Sequence, residues 1–253
     1  MTEHSLTNQA EGRWWSKLFI VSALVALLCL VTAPLGHKYG FVELLPAFGS
    51  LIVSLLAGAV IVIVGTVMIV VAHNKGLLRD RNLTALAVVL GCIPIVVMLP
   101  QMLAGRSVPP IHDITTDVSD PPLFQAVLPL RADAGNPPGY GSKQQSAEEL
   151  AALQQAAYPA VTSLETSLPM PQAVARAAEV LGAQGLELVD VSDDDGRVEA
   201  TATTFWFGFK DDVVVRVRAN RAGSTIDVRS KSRVGQSDLG ANAARVIRFL
   251  EDF

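Results

Sequence analysis

The chain has 253 residues, 50% of them hydrophobic and 17% charged, with a net charge of −4. Up to Arg106 there are only 7 Lys/Arg and 4 Asp/Glu, whereas the remaining 147 residues carry 13 Lys/Arg against 20 Asp/Glu, a net −7. An acidic segment of this kind excludes broad affinity for nucleic acid, which rests on neutralising phosphates. Both cysteines, Cys29 and Cys92, fall in apolar runs, so the polar part has no disulfide framework, thiolate nucleophile or cysteine metal site.

Three apolar runs come first, Leu18–Leu35, Leu44–Ala72 and Leu83–Leu103. Each is long enough to cross a hydrocarbon layer that needs about 20 helical residues, and only a helix satisfies its own backbone in lipid as an open-ended element. Residues 1–106 are therefore expected to form a membrane anchor of three transmembrane helices, and residues 107–253 a domain outside the bilayer. Val31-Thr32-Ala33 is loosely like a signal-peptide cleavage site, but Pro34 would follow the cut, so an uncleaved anchor is expected. Ser50, Ser54 and Gly58 form a small-residue stripe for close helix packing, and Pro94 and Pro100 should kink or end the third span. Trp14, Trp15 and Lys17 read as an interfacial collar.

Arg13, Lys17, Lys75, Arg79 and Arg81 flank the runs on one side, against Lys38 and Arg106 on the other. The positive-inside rule then puts the N-terminus in the cytoplasm and the C-terminal domain outside it. In a bacterium this is a multi-pass inner (plasma) membrane protein with a periplasmic domain.

Past the extended linker Ser107–Pro110, the loop Asp133–Lys143 is rich in Gly and Pro. Ser146 and Glu149 make a capping box for a helix to Ala157. Val174, Ala177, Ala178 and Leu181 recur at helical spacing after Pro171, and Gly182 or Gly185 ends that helix. Four strands follow, Leu186–Val191, Val198–Phe205, Asp212–Arg218 and Ser224–Ser232, with a turn at Asp195-Gly196. A last helix from Ser237 or Asp238 carries Leu239, Ala243, Val246, Leu250 and Phe253 on one side. The expected fold is α+β, an antiparallel meander of at least four strands with helices on one face. A hairpin loop at Asn220–Gly223 pairs Val217 with Ile226, Val215 with Val228, Arg216 with Asp227 and Asp212 with Lys231, and continuing the register sets Glu199 beside Arg216. The charged pairs then lie on the outer face.

Several blocks carry a family resemblance: IHDITTD at Ile111–Asp117, PPLF at Pro121–Phe124, AYP at Ala157–Pro159, and above all ATATTFWFGFKDDVVVRVR followed by DVRSKSRVGQSDLGANAARVIRFL. Together they resemble domain-of-unknown-function family 1499 over nearly all of residues 107–253. The resemblance implies a bacterial membrane-associated or secreted protein, or a plastid one. It implies no activity, so no catalytic residue is carried over.

Candidate chemistry is sparse. Asp211 and Asp212 point to opposite faces of a strand and make no dyad. Gly235–Gly240 misses the Gly-x-Ser-x-Gly elbow by one residue, and the only histidine past residue 106, His112, lies far upstream, so Ser237 reads as a helix cap. Asp193–Gly196 fails as a calcium loop because its twelfth position is Ala202. Arg229, Lys231 and Arg233 alternate onto one strand face that leads to the Ser237 helix start, and Asn242 and Arg245 add donors. Strand cations beside helix N–H groups suit an anion such as a lipid phosphate or a carboxylate. The structural alternative is neutralisation by Asp227, Asp212, Asp238 and Glu199. Phe205-Trp206-Phe207-Gly208-Phe209 marks a hairpin tip that caps the core or meets an apolar ligand or the bilayer.

The reading is a non-enzymatic integral membrane protein whose extracytoplasmic domain binds a partner or an anionic, lipidic ligand, without metal or cofactor. Its partners are the lipid bilayer, such a ligand or headgroup, or another membrane protein. The alternatives are an envelope enzyme acting through Asp212, Arg229 and Lys231, and an accessory subunit docking by the Ser50/Ser54/Gly58 stripe.

Overall fold

The computed structural model describes residues 12–141 and 145–253, so the end of the predicted loop Asp133–Lys143 lies outside the described residues. The chain divides into two compact units, one ending at Leu103 and the other running from Ala104 to Phe253.

Three helices, α1 (Trp14–Lys38), α2 (Leu44–Asn74) and α3 (Leu78–Ser107), account for the apolar runs. Each holds an 18-residue stretch of high mean hydropathy, 2.6, 2.9 and 2.5 in turn, and with their lengths this suits them to crossing a membrane. Even 25 residues of helix reach about 37 Å, more than the ~30 Å of a hydrocarbon core. Pro94 and Pro100 sit inside α3 and do not end it. Neighbouring turns and helices in lipid can re-satisfy the carbonyls a proline frees.

Small residues set the packing of this unit. Ser54 Oγ on α2 donates to Ala26 O on α1 at 2.6 Å. Gly58 approaches α3 so closely that a Cβ there would lie 2.6 Å from Gly91 O. Ser54 and Gly58 are both buried, so these two positions of the stripe serve packing among the chain's own helices. Asp80, which precedes the third apolar run in the sequence, is buried at the start of α3. Its Oδ1 accepts from Arg13 N and Ser16 Oγ, both at 2.7 Å, and so caps the start of α1.

The second unit holds β1 (Asp113–Thr115), α4 (Ala147–Ala157), β2 (Leu164–Thr166), α5 (Met170–Ala183), β3 (Glu187–Ser192), β4 (Arg197–Thr203), β5 (Lys210–Asn220), β6 (Gly223–Ser232) and α6 (Ala241–Asp252). The sheet runs β1-β6-β5-β4-β3, every pair antiparallel, with β2 also on the outer edge of β6. Val198, Ala200, Val213, Val215, Val217, Ile226 and Val228 point to one face and bury against Val174, Ala177 and Leu181 of α5 and Ala243, Val246 and Phe249 of α6. This is the α+β layer that the alternating pattern predicts.

The β5–β6 register agrees at all four predicted pairs, Val217–Ile226, Val215–Val228, Arg216–Asp227 and Asp212–Lys231. The β4–β5 register does not. Arg197 stands opposite Arg216 and Glu199 opposite Val214, because the turn closes between Thr203 and Lys210. The offset is two residues, an even number, so every side chain keeps its face. Helix α6 also begins later than predicted. The Asp238 carboxylate accepts from Gly240 N and Asn242 N, both at 2.8 Å, while Gly240 turns the chain with a φ of 84°. The capping box of α4 forms as expected between Ser146 and Glu149.

Replacing Gly58 by leucine is expected to force α2 and α3 apart, at a cost of about 1–3 kcal/mol, the usual range for overpacking. Thermal unfolding in detergent should show a lowered midpoint for Gly58→Leu and little change for Gly49→Leu, whose Cβ would meet nothing within 4 Å.

Candidate functional site

Residues of odd number on β6 face away from α5 and α6, which places Arg229, Lys231 and Arg233 on the sheet's second face. The alternation suggests a solvated surface there. Instead, the segment from Asp117 to Gly141, here called the strap, lies over this face and buries it. Arg229, Lys231, Asp113, Asp212, Glu199 and Asp227 are all 0% exposed. Of the ion pairs expected from the sequence, Arg216–Asp227 forms with its carboxylate buried, while Asp212 and Lys231, opposite each other in register, pair instead with Arg131 and Arg233 and with Asp113, respectively. Charges so placed need full hydrogen bonding.

Three linked groups meet most of that requirement, with Arg131 Nε and Arg216 Nε left without a hydrogen-bond partner. Asp113 on β1 takes Arg229 Nε and Nη2 at 2.9 Å each and Lys231 Nζ at 2.9 Å. Strap carbonyls fill the remaining donors: Pro122 O and Pro138 O on Arg229, Gly139 O and Gly141 O on Lys231. Phe124 lies 4.9 Å from the Arg229 guanidinium and 5.3 Å from that of Arg131. Next along the face, Asp212 accepts from Arg131 Nη1 at 2.5 Å, Arg233 Nε at 2.8 Å, Arg233 Nη2 at 2.7 Å and Thr201 Oγ1 at 2.7 Å. Glu199 accepts from the strap N–H groups of Gln125 and Val127, at 2.7 and 2.9 Å. At the other end Asp227 binds Arg216 and Arg218, which also reach Asp117 and Asp120. A small apolar cluster of Phe124, Val127 and Val214 packs under the strap.

Electrostatics within this layer are uneven. Burial favours the neutral Lys231 amine and pulls its pKa down against the opposing pull of Asp113, and nearby Arg229 and Arg131 push the same way as burial. Burial would raise the Asp212 carboxyl, but bonds from Arg233 and Thr201 and the charges of Arg233 and Arg131 bring it below the usual carboxylate value. Four cations, Arg131, Arg229, Lys231 and Arg233, thus share two carboxylates, Asp113 and Asp212. Arg131 and the strap carbonyls gave no signal in the sequence. Arg131 lies in an aperiodic Pro-rich stretch, and carbonyl acceptors are not written in side-chain pattern.

The six predicted site residues fall into separate places. Arg229, Lys231 and Arg233 share the strap face. Asn242 and Arg245 lie on the helix face, where Asn242 Oδ1 accepts from Ser230 Oγ and Arg245 Nη1, and Arg245 Nη2 donates to Asp211 Oδ2 at 2.9 Å. The sheet separates these two sets. Ser237 stands in the loop before α6, its Oγ accepting from Leu239 N, and it does not cap the helix. His112 comes within 3.3 Å of Gln236 O, a backbone carbonyl, and burial lowers its pKa. Among the described residues no group of three or more His, Cys, Asp or Glu side chains is placed to hold a metal ion.

A unit of three helices long and apolar enough to cross a membrane, followed by an α+β domain with a strapped, charged sheet face, defines the class. The chain belongs to the family described as protein of unknown function (DUF1499), whose profile matches residues 113–253. No curated protein and no solved structure matches the chain.

Removing one partner of the central pair should be severe, since Asp113→Asn leaves Arg229 and Lys231 buried without their carboxylate. A loss of about 3–5 kcal/mol is expected. Denaturant unfolding, followed by the melting of the domain's secondary structure, should show it. Asp195→Asn, at an exposed turn, should shift the midpoint little.

Proposed function

We propose that this is a non-catalytic, multi-pass membrane protein whose C-terminal domain works outside the cytoplasm and binds an anionic group, a phosphate or carboxylate, at the strapped cation cluster. The observation that carries the reading is the charge count. Neutral carbonyl oxygens take several donors of Arg131, Arg229, Lys231 and Arg233 but cancel no charge, so these four cations outnumber the two carboxylates they contact, while the next buried carboxylate on the face, Glu199, binds strap N–H groups and Arg197 instead. An anion seated there gains what the carbonyls do not supply. Arg233, the least buried of the four at 12% side-chain exposure, marks the approach from solvent. The carboxylates themselves are held by two or more donors each, which favours binding over acid–base chemistry.

The outward placement rests on five basic residues against two around the spans. Alkaline phosphatase fused after Phe253 should be active in a bacterial host. Activity only from a cytosolic reporter at that position would reverse the orientation.

For the ligand, native mass spectrometry of the detergent-purified protein should show a bound anionic lipid or a small phosphate- or carboxylate-bearing compound, lost in Arg233→Gln. Titration with inorganic phosphate and with phosphatidylglycerol separates a free anion from a headgroup. Retention of no anion, with a thermal midpoint that answers to neither titrant, would refute the reading.

A further inference from the structure

One end of the C-terminal domain gathers features that the charged face does not use. The start of β1, the end of β6, the start of β5 and the end of β4 all lie there, as the pairings Asp113–Lys231, Asp211–Ser232 and Thr203–Lys210 require. The strap reaches the same end, where Leu130 O accepts from Arg233 Nη1. So does the turn before α6, where Asp238 N donates to Ile111 O.

Large apolar side chains stand out from this end. Phe205 is 71% exposed, Trp206 50% and Leu130 54%. The Phe205 and Trp206 rings meet edge to face with centroids 5.1 Å apart, which stiffens the hairpin tip. Phe207 and Phe209 stack on each other with centroids 4.9 Å apart. Exposed Lys210 flanks the tip. The acidic turn Asp193–Asp195, between β3 and β4, lies at the opposite end of the sheet.

Chain length tells what meets these side chains. Helix α3 ends at Ser107 and β1 begins at Asp113, so only Val108–His112 join them. Five residues span at most about 18 Å when fully extended. The chain therefore enters the domain at this end after no more than that contour length from the last residue of α3. Trp in particular prefers the headgroup level, with its ring among acyl carbons and its N–H in water, and lysine beside it suits a phosphate-bearing surface.

We infer that this end of the domain rests on the bilayer, with Trp206, Phe205 and Leu130 seated at the headgroup level. The contact is apolar in origin and independent of the anion site. It requires neither an anionic lipid nor low salt.

The test uses the full chain. The protein has three tryptophans, and Trp14→Phe with Trp15→Phe leaves Trp206 as the sole reporter. Reconstituted in phosphatidylcholine vesicles at high salt, Trp206 should lose emission to lipids brominated near the headgroup. Loss to lipids brominated at the chain ends should be smaller, and aqueous acrylamide should have little access. Ready quenching by acrylamide with no loss to brominated lipid would overturn the inference. Protection from both quenchers would overturn it too, since the ring would then be covered by protein. The anion reading is left untouched by either failure, because pure phosphatidylcholine and high salt remove its contribution.

Discussion

The C-terminal domain depends on a carboxylate placed where no water reaches it. Asp113 joins three segments at once: its own strand β1, the β6 side chains Arg229 and Lys231, and through them the strap that supplies the remaining acceptors. Taking such ions out of water costs several kcal/mol each, and only complete hydrogen bonding repays it. All three Lys231 protons are used, on Asp113, Gly139 and Gly141. The strap cannot be trimmed without leaving a cation bare, which explains why a segment with hardly any regular structure is so firmly held.

Much of the sheet was legible in the sequence, for a specific reason. Val213, Val215 and Val217 alternate with Asp212 and Arg216, and Ile226 and Val228 alternate with Asp227 and Arg229, so a single turn at Asn220–Gly223 fixes both partners and faces. The β4–β5 connection has no such marker, and the register there came out two residues off. β1 and β2 are three residues each, too short for any period to declare itself. The larger misreading concerned burial. Alternation separates two faces but does not say that the polar one is dry; that depended on a strap whose contacts run through Pro122, Pro138, Gly139 and Gly141 carbonyls and the Gln125 and Val127 N–H groups. In the candidate site the cations were legible as a row, while Arg131 and the sheet that divides Arg229 from Asn242 were not.

The membrane unit and the domain solve opposite problems with related means. In the three helices the polar groups are few, and Ser54, Thr84 and Asp80 spend theirs within the bundle. In the domain they are many, and burial is tolerated because guanidinium forks and backbone groups answer every carboxylate. What the domain leaves exposed is aromatic surface, Phe205 and Trp206, at the end where the chain arrives from α3.

The long reach of these bonds bears on how the protein is made. Asp113 lies 116 residues before Arg229 and 118 before Lys231, and the strap carbonyls answer side chains roughly a hundred positions later. Synthesis delivers the early half of the domain long before its partners exist, and such non-local pairing slows folding. Until β6 emerges, Asp113 lacks Arg229 and Lys231, and the strap has only its partners on β4 and β5, Glu199, Asp212 and Val214. Strand β6 and helix α6, the latest-made parts of the domain, complete it, so a nascent chain halted before residue 229 would leave a proteolysis-prone stub behind its finished helices.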